Sequence, residues 1–258
     1  MPSCCPPGSW PALEAQPGTY NGTVEDLGHG LQAYVVKPAE PTGYGLISFQ
    51  DIFQYDSARC KGVADQFAEA GFAVVHVDFV GANVYTDDQD LFAWVRARSY
   101  ADHFKAKLVS TVIPYMKEKL GVDKIVATGF CWGCYIAFQA CADPDVKDSI
   151  LATALFHPTL QLNGAFDKDP ESKDIAENVT CPTLFVAAGN DPDFVGPDGS
   201  ITKLLQKTCP SSKGVVMKDM QHGFVIRGDV SDPAVKRDVK AACELAIDFL
   251  TAHVKAKA

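Results

Sequence analysis

Residues 124–142 read KIVATGFCWGCYIAFQACA, and the way this stretch divides decides the fold. Residues 124–128 are short, apolar and β-branched and are followed by glycine, which predicts a buried strand. Residues 135–142 are small and apolar and predict a buried helix. Cys131 lies on the turn between them. Gly129 and Gly133 flank it in a G-x-C-x-G pattern, the cysteine form of a nucleophile elbow, where a tight strand-to-helix turn leaves no room for neighbouring side chains. A thiol so placed projects from the sheet and faces the amino end of a helix, whose dipole favours the thiolate. Two other readings compete. A cysteine at the start of an apolar helix is ordinarily a small core residue. Cys131-Trp-Gly-Cys134 is also a C-x-x-C, as a thiol redox protein would carry, although three strand-like segments precede it.

Working outward, the chain has 258 residues, of which 47% are hydrophobic and 21% charged, enough to bury the core of one α/β domain over residues 1–258, with 1–28 as an irregular lead-in. A net charge of −9 argues against nucleic acid or an anionic membrane as partner, since both require clustered lysine and arginine. No apolar run has the length of a membrane span, and the first residues lack the basic start and apolar stretch of a secretory signal, so a cytoplasmic protein is expected. The nine cysteines are then better read as thiols than as a disulfide framework. Cys4-Cys5 could suggest a metal or redox pair, but it has no second pair at zinc-ligand spacing and stays an unexplained feature of the tail. No H-E-x-x-H, P-loop or strand-linked G-x-G-x-x-G is present, so neither a metal nor a cofactor is expected.

The remaining elements follow in order. Residues 31–36 read as an edge strand, 44–50 and 72–77 as buried strands, and 61–70 as a helix capped by Gly71. A polar loop at 81–90 precedes apolar residues 91–94, and 101–119 form an amphipathic helix ending at Gly121. Beyond Cys131 come strands at 150–156, 183–188 and 214–218, a helix at 201–207, and a last helix opened by Asp232-Pro233 and reaching about residue 254. Strands alternating with helices give a mostly parallel sheet covered on both faces.

In such a sheet chemistry collects on loops leaving the carboxyl ends of strands. Of six histidines, His29, His76, His103 and His253 fall elsewhere, whereas His157 and His222 each follow a strand. The hydrolase order of nucleophile, acid and histidine leaves only His222 with an acid-bearing loop before it. The acid is Asp191, just past residues 183–188, with Asp193 as the alternative. His222 would take the thiol proton or stabilise the thiolate, Asp191 would fix the imidazole, and the backbone amides of Trp132 and Ile52 would hold the oxyanion.

With these residues in place, the chain resembles the dienelactone hydrolase family, the carboxymethylenebutenolidase-like α/β-hydrolases, and especially its eukaryotic branch. The likeness runs from about residue 31 onward and is carried by Ser48-Phe-Gln-Asp-Ile-Phe53, Gly71-Phe-Ala-Val-Val-His-Val-Asp-Phe79, Gly129-Phe-Cys-Trp-Gly133, Ala188-Gly-Asn-Asp191 and His222-Gly-Phe-Val-Ile-Arg-Gly-Asp229. It implies the α/β-hydrolase fold and hydrolysis of a lactone or other small ester through an acyl-thioester on Cys131. Bacterial members place a glutamate near the resting thiol where this chain has Asp51, which would raise the thiol pKa by like-charge repulsion. They also hold a substrate carboxylate with two arginines. Here Val80-Gly-Ala-Asn83 has none, and Arg227 is a candidate either for the second clamp or for pairing with Asp229 or Asp232.

The expected partner is a small ester or lactone and the expected assembly a monomer or homodimer. Two further functions stay open: a non-catalytic α/β-hydrolase fold that binds a small ligand, and a redox protein using Cys131 and Cys134.

Overall fold

The computed structural model describes residues 5–14 and 16–256. Eight strands form one sheet: β1 (Thr23–Asp26), β2 (Gln32–Val36), β3 (Tyr44–Phe49), β4 (Ala73–Asp78), β5 (Lys124–Phe130), β6 (Ile150–Phe156), β7 (Thr183–Ala188) and β8 (Lys213–Met217). Their spatial order is β1-β2-β4-β3-β5-β6-β7-β8. β2 runs antiparallel to both β1 and β4, and all pairings from β4 to β8 are parallel.

The helices are α1 (Cys60–Glu69), α2 (Leu91–Arg96), α3 (residues 100–120), α4 (Trp132–Ala142), α5 (Lys173–Ala176), α6 (Ser200–Thr208), α7 (Phe224–Arg227) and α8 (Pro233–Ala256). α3 contains two wide π-type turns, Tyr100–Phe104 and Leu108–Val112, and ends at Gly121 in the left-handed conformation.

Strand periodicity divides the core into two layers. On β5, Ile125 and Ala127 face the layer built from α3, α4 and α6, with Leu108, Val112, Met116, Ile136, Phe138, Ile201 and Leu205. Val126 and Phe130 face the other layer, where α1 and α8 contribute Val63, Phe67, Ala246 and Leu250. A sheet covered on both faces needs apolar residues at successive positions, which is why β5, β6 and β7 read as continuous apolar runs. The same logic explains α4: packed at the centre, it is apolar all round and nearly every residue is buried.

The structure corrects the expected edge. Residues 23–26, read as part of an irregular lead-in, form β1 and pair with β2, so residues 32–36 lie inside the sheet. β1 has only four residues, most of them exposed, so it carries little apolar signal. The lead-in before it is not idle: Gln16 N donates to Ala58 O (2.9 Å), Ala58 N to Glu14 O (3.0 Å), and Trp10 N to His222 O (2.9 Å), so residues 10–14 and Gln16 lie along the carboxyl edge of the sheet. Among the described residues the cysteines are all thiols, as expected, and no helix is long and apolar enough to cross a membrane.

Candidate active site

Cys131 follows the last residue of β5 and precedes α4, with φ 54° and ψ −116°. A non-glycine residue in that region costs on the order of 1–3 kcal/mol and persists only where its surroundings fix it. Two glycines do so here. A Cβ on Gly129 would stand 2.6 Å from the carbonyl carbon of Gly133, and one on Gly133 would overlap the carbonyl oxygens of Gln50 and Phe49. The strand, the helix and the loop after β3 therefore meet with backbone against backbone, and Cys131 is wedged at the junction, 0% exposed.

His222 follows β8 across a short turn tied to the loop after β7: Gly189 N donates to Met220 O (2.8 Å) and His222 N to Asn190 Oδ1 (2.7 Å). Its Nδ1 donates to Asp191 Oδ1 at 2.6 Å, and the other Asp191 oxygen accepts from Ala188 N at 2.7 Å. Asp191 is thus held from behind by its own strand and aimed at the imidazole, while Asp193 is exposed. The fixed Nδ1 leaves Nε2 as the nitrogen for proton transfer. A ring nitrogen of His222 and the sulfurs of Cys131 and Cys5 all lie within 4.8 Å of one another. Burial works against the imidazolium, but Asp191, followed by the Cys5 sulfur, outweighs it and holds His222 up at about 9. At neutral pH the ring carries its proton.

Trp132 opens α4, where first-turn N–H groups have no intrahelical acceptor. The Ile52 peptide is fixed by its carbonyl, which accepts from Tyr85 N at 3.1 Å. Both residues are buried beside Cys131, and the Trp132 ring packs on Trp94 with centroids 4.8 Å apart. A cavity of about 260 Å³ opens next to this corner between Leu13, Glu14, Phe53, Gln54, Val84 and Tyr85.

Asp51 and Arg227 lie differently from expectation. Arg227 pairs with Asp51 through Nη1, rather than with Asp229 or Asp232, and both side chains are fully buried. The second Asp51 oxygen accepts from Phe53 N at 2.8 Å. Burial pushes the Asp51 carboxyl up, the Arg227 charge opposes it, and the Cys5 sulfur adds to the upward push. Arg227 is itself held by Arg59, whose Nη1 donates to Phe224 O (3.1 Å) and Val225 O (3.0 Å) at the end of α7. Its remaining donors go to the lead-in, Nε to Trp10 O at 3.1 Å and Nη2 to Cys5 Sγ at 3.8 Å.

Cys134, the partner in the C-x-x-C reading, is buried with Sγ 3.1 Å from both Gly129 O and Phe156 O, and it is not among the sulfurs grouped with His222. Two further residues lie at the site, His157 and Cys5, neither of them assigned a role there from the sequence. His157 is buried with φ 41°, and its ring lies 5.0 Å from that of His222. Burial, then the His222 and Arg227 charges, keep it neutral. It follows β6, so the strand-end rule flags it, while chain order excludes it from the base position. The Cys4-Cys5 pair was visible in the sequence but nothing there tied Cys5 to the site, and Cys4 lies outside the described residues. Cys5, Cys131 and His222 are also the donors among the described residues that a soft cation such as Zn²⁺ could bridge.

The dienelactone hydrolase family model matches residues 31–254. A carboxymethylenebutenolidase homolog of Mus musculus is 27% identical over 241 residues, covering 88% of this chain and 92% of its own. One of Homo sapiens is 27% identical over 231 residues, covering 87% and 88%. Among solved structures, dienelactone hydrolase from Anabaena variabilis has a TM-score of 0.60 at 17% identity, covering 90% of this chain and 98% of that one, which bears on the fold and shows it to be the α/β-hydrolase fold. The family match runs from the start of β2 to the end of α8 and takes in Cys131, Asp191 and His222, and the chain belongs to the dienelactone hydrolase family.

Proposed function

We propose that this carboxylic ester hydrolase cleaves a small ester or lactone with Cys131 as nucleophile, His222 as acid and base, and Asp191 as the group that orients His222. The observation that carries the reading is the Asp191–His222 bond of 2.6 Å beside a cysteine held at φ 54° on a strand-to-helix turn. The strained backbone at Cys131 costs stability and persists because Gly129 and Gly133 fix it, the pattern of a position kept for function rather than packing.

The steps follow from the geometry. The Cys131 thiolate attacks the carbonyl carbon, and the carbonyl oxygen takes the negative charge against the amides of Trp132 and Ile52. The tetrahedral species collapses, the carbon–oxygen bond breaks, and His222 gives its Nε2 proton to the departing alkoxide. His222 is then neutral and takes a proton from water, which attacks the thioester. Collapse of the second tetrahedral species releases the carboxylic acid, and the thiolate–imidazolium pair is restored. Arg227 is the cation placed for a substrate carboxylate, but it reaches one only when the lead-in carbonyl of Trp10 gives way.

Purified Cys131→Ala should lose turnover of a p-nitrophenyl acyl ester by at least about 10³-fold, with its melting temperature within a few degrees of the parent. Retained turnover would assign the chemistry to another residue.

A further inference from the structure

Residues 5–10 cross the site in a way that hydrolysis does not require. Pro7 O accepts from Asn190 Nδ2 (3.1 Å), Trp10 N donates to His222 O (2.9 Å), and Trp10 O accepts from Arg227 Nε (3.1 Å). These three bonds tether the lead-in to the residue beside the triad acid, to the triad histidine and to the buried arginine. They deliver one side chain into the site, that of Cys5. Its sulfur lies within 4.8 Å of Cys131 Sγ and 3.8 Å from Arg227 Nη2.

We propose that Cys5 and Cys131 form a reversible disulfide under hydroperoxide, and that this bond switches the hydrolase off. The switch rests on Cys131 being the nucleophile; the bond itself does not.

The two sulfurs differ in a way that sets the order of events. Cys5 is partly exposed, whereas Cys131 is fully buried beneath the lead-in, so a hydroperoxide meets Cys5 first. Thiols beside cations are the ones that oxidise readily, and Cys5 stands between the Arg227 guanidinium and the His222 ring. The Cys5 thiolate attacks one oxygen of the O–O bond. It becomes the sulfenic acid, and the displaced hydroxide or alkoxide takes a proton, giving water or an alcohol. The Cys131 thiolate then attacks the sulfenyl sulfur of Cys5, the S–S bond forms, and a second hydroxide leaves and is protonated to water. Two thiols lose two electrons and two protons, and one peroxide bond is reduced.

Bond formation needs the sulfurs to close from within 4.8 Å to about 2.05 Å. Cys5 can move to meet Cys131, because it precedes the first of the three tethering bonds, at Pro7, whereas Cys131 is fixed by Gly129 and Gly133. The result protects as well as silences: a nucleophile held in a disulfide does not proceed to the sulfinic acid, which thiols do not reverse.

The test uses the full chain treated with hydrogen peroxide and mapped as non-reduced peptides. The expected result is a peptide linking Cys5 to Cys131, loss of p-nitrophenyl ester turnover of at least tenfold in step with it, and recovery in dithiothreitol. Cys4→Ser should still form the link. In Cys5→Ser the linked peptide should be absent, and peroxide should inactivate without recovery as Cys131 passes to the sulfinic acid. Absence of the link in the parent, or a Cys131–Cys134 or Cys4–Cys131 link in its place, would overturn the proposal, as would full turnover by the linked form. Turnover by Cys131→Ala separates the two claims, since its loss upholds the nucleophile whatever the peptide map shows.

Discussion

At the residue scale, the site turns on one imidazole whose burial is opposed by two neighbours, Asp191 and Cys5. Asp191 holds the proton on His222 to about 9, above the value near 6.5 of an unperturbed histidine. In the proposed mechanism that proton is the one given to the leaving alkoxide. For an alkyl ester, whose alkoxide must be protonated on departure, kcat/KM should therefore hold up to pH 8 and fall with a midpoint near 9. In Asp191→Asn the rate should drop by roughly 10³ to 10⁴ and the alkaline midpoint should move down toward 6.5. A rate loss with the midpoint unmoved would separate Asp191 from the protonation of His222. Cys131, Asp191 and His222 were legible because each lies just past a strand in the order that the chemistry requires. Asp51 and Arg227 were legible as site residues but not as a pair: 176 positions separate them, and only the packing of α7 against the loop after β3 shows that they meet.

At the scale of elements, the β5–Cys131–α4 unit is built by exclusion of side chains. Gly133→Ala would drive a methyl group into the Gln50 and Phe49 carbonyl oxygens, which belong to the sheet and its exit loop and cannot swing aside. A cost of about 3 kcal/mol or more is expected, read as a lower urea midpoint with unchanged slope. A stability within about 0.5 kcal/mol of the parent would show that the turn is looser than its contacts indicate. β5, β6 and β7 were readable to within a residue or two because continuous apolar runs bounded by turn residues have few other interpretations. β1 and α7 were not. A four-residue edge strand with exposed side chains and a four-residue helix both fall below the length at which periodicity speaks, and each is fixed by tertiary partners.

At the scale of the whole molecule, buried histidines link stability to pH. His76 sits inside β4 with Nε2 donating to Tyr55 O and Nδ1 accepting from Ser48 Oγ at 2.8 Å, and burial lowers it to about 4. A lowered histidine contributes stability that is fully present above the unfolded value near 6.5 and is lost as pH falls through the folded one, here on the order of 3 kcal/mol. His222 acts in the opposite sense, its contribution being complete below 6.5 and lost as pH rises to about 9. His76→Gln should thus lie well below the parent in stability at pH 7.5 and converge on it by pH 4.5; a gap that stays constant would contradict the neutral state of His76. The architecture followed from the alternation of strands and helices, whereas the path of residues 5–14 could not be read, since it depends on bonds from its backbone to Ala58, Asn190, His222 and Arg227 that leave no trace in composition. The central claim, that a single sulfur carries the acyl group, is tested most directly by acid-quenching the enzyme within its first turnovers of a p-nitrophenyl ester and mapping the adduct by mass spectrometry. The expected result is one acyl group on the peptide containing Cys131 and none on Cys131→Ala. An acyl group on any other residue, or a burst of product with no adduct, would contradict it.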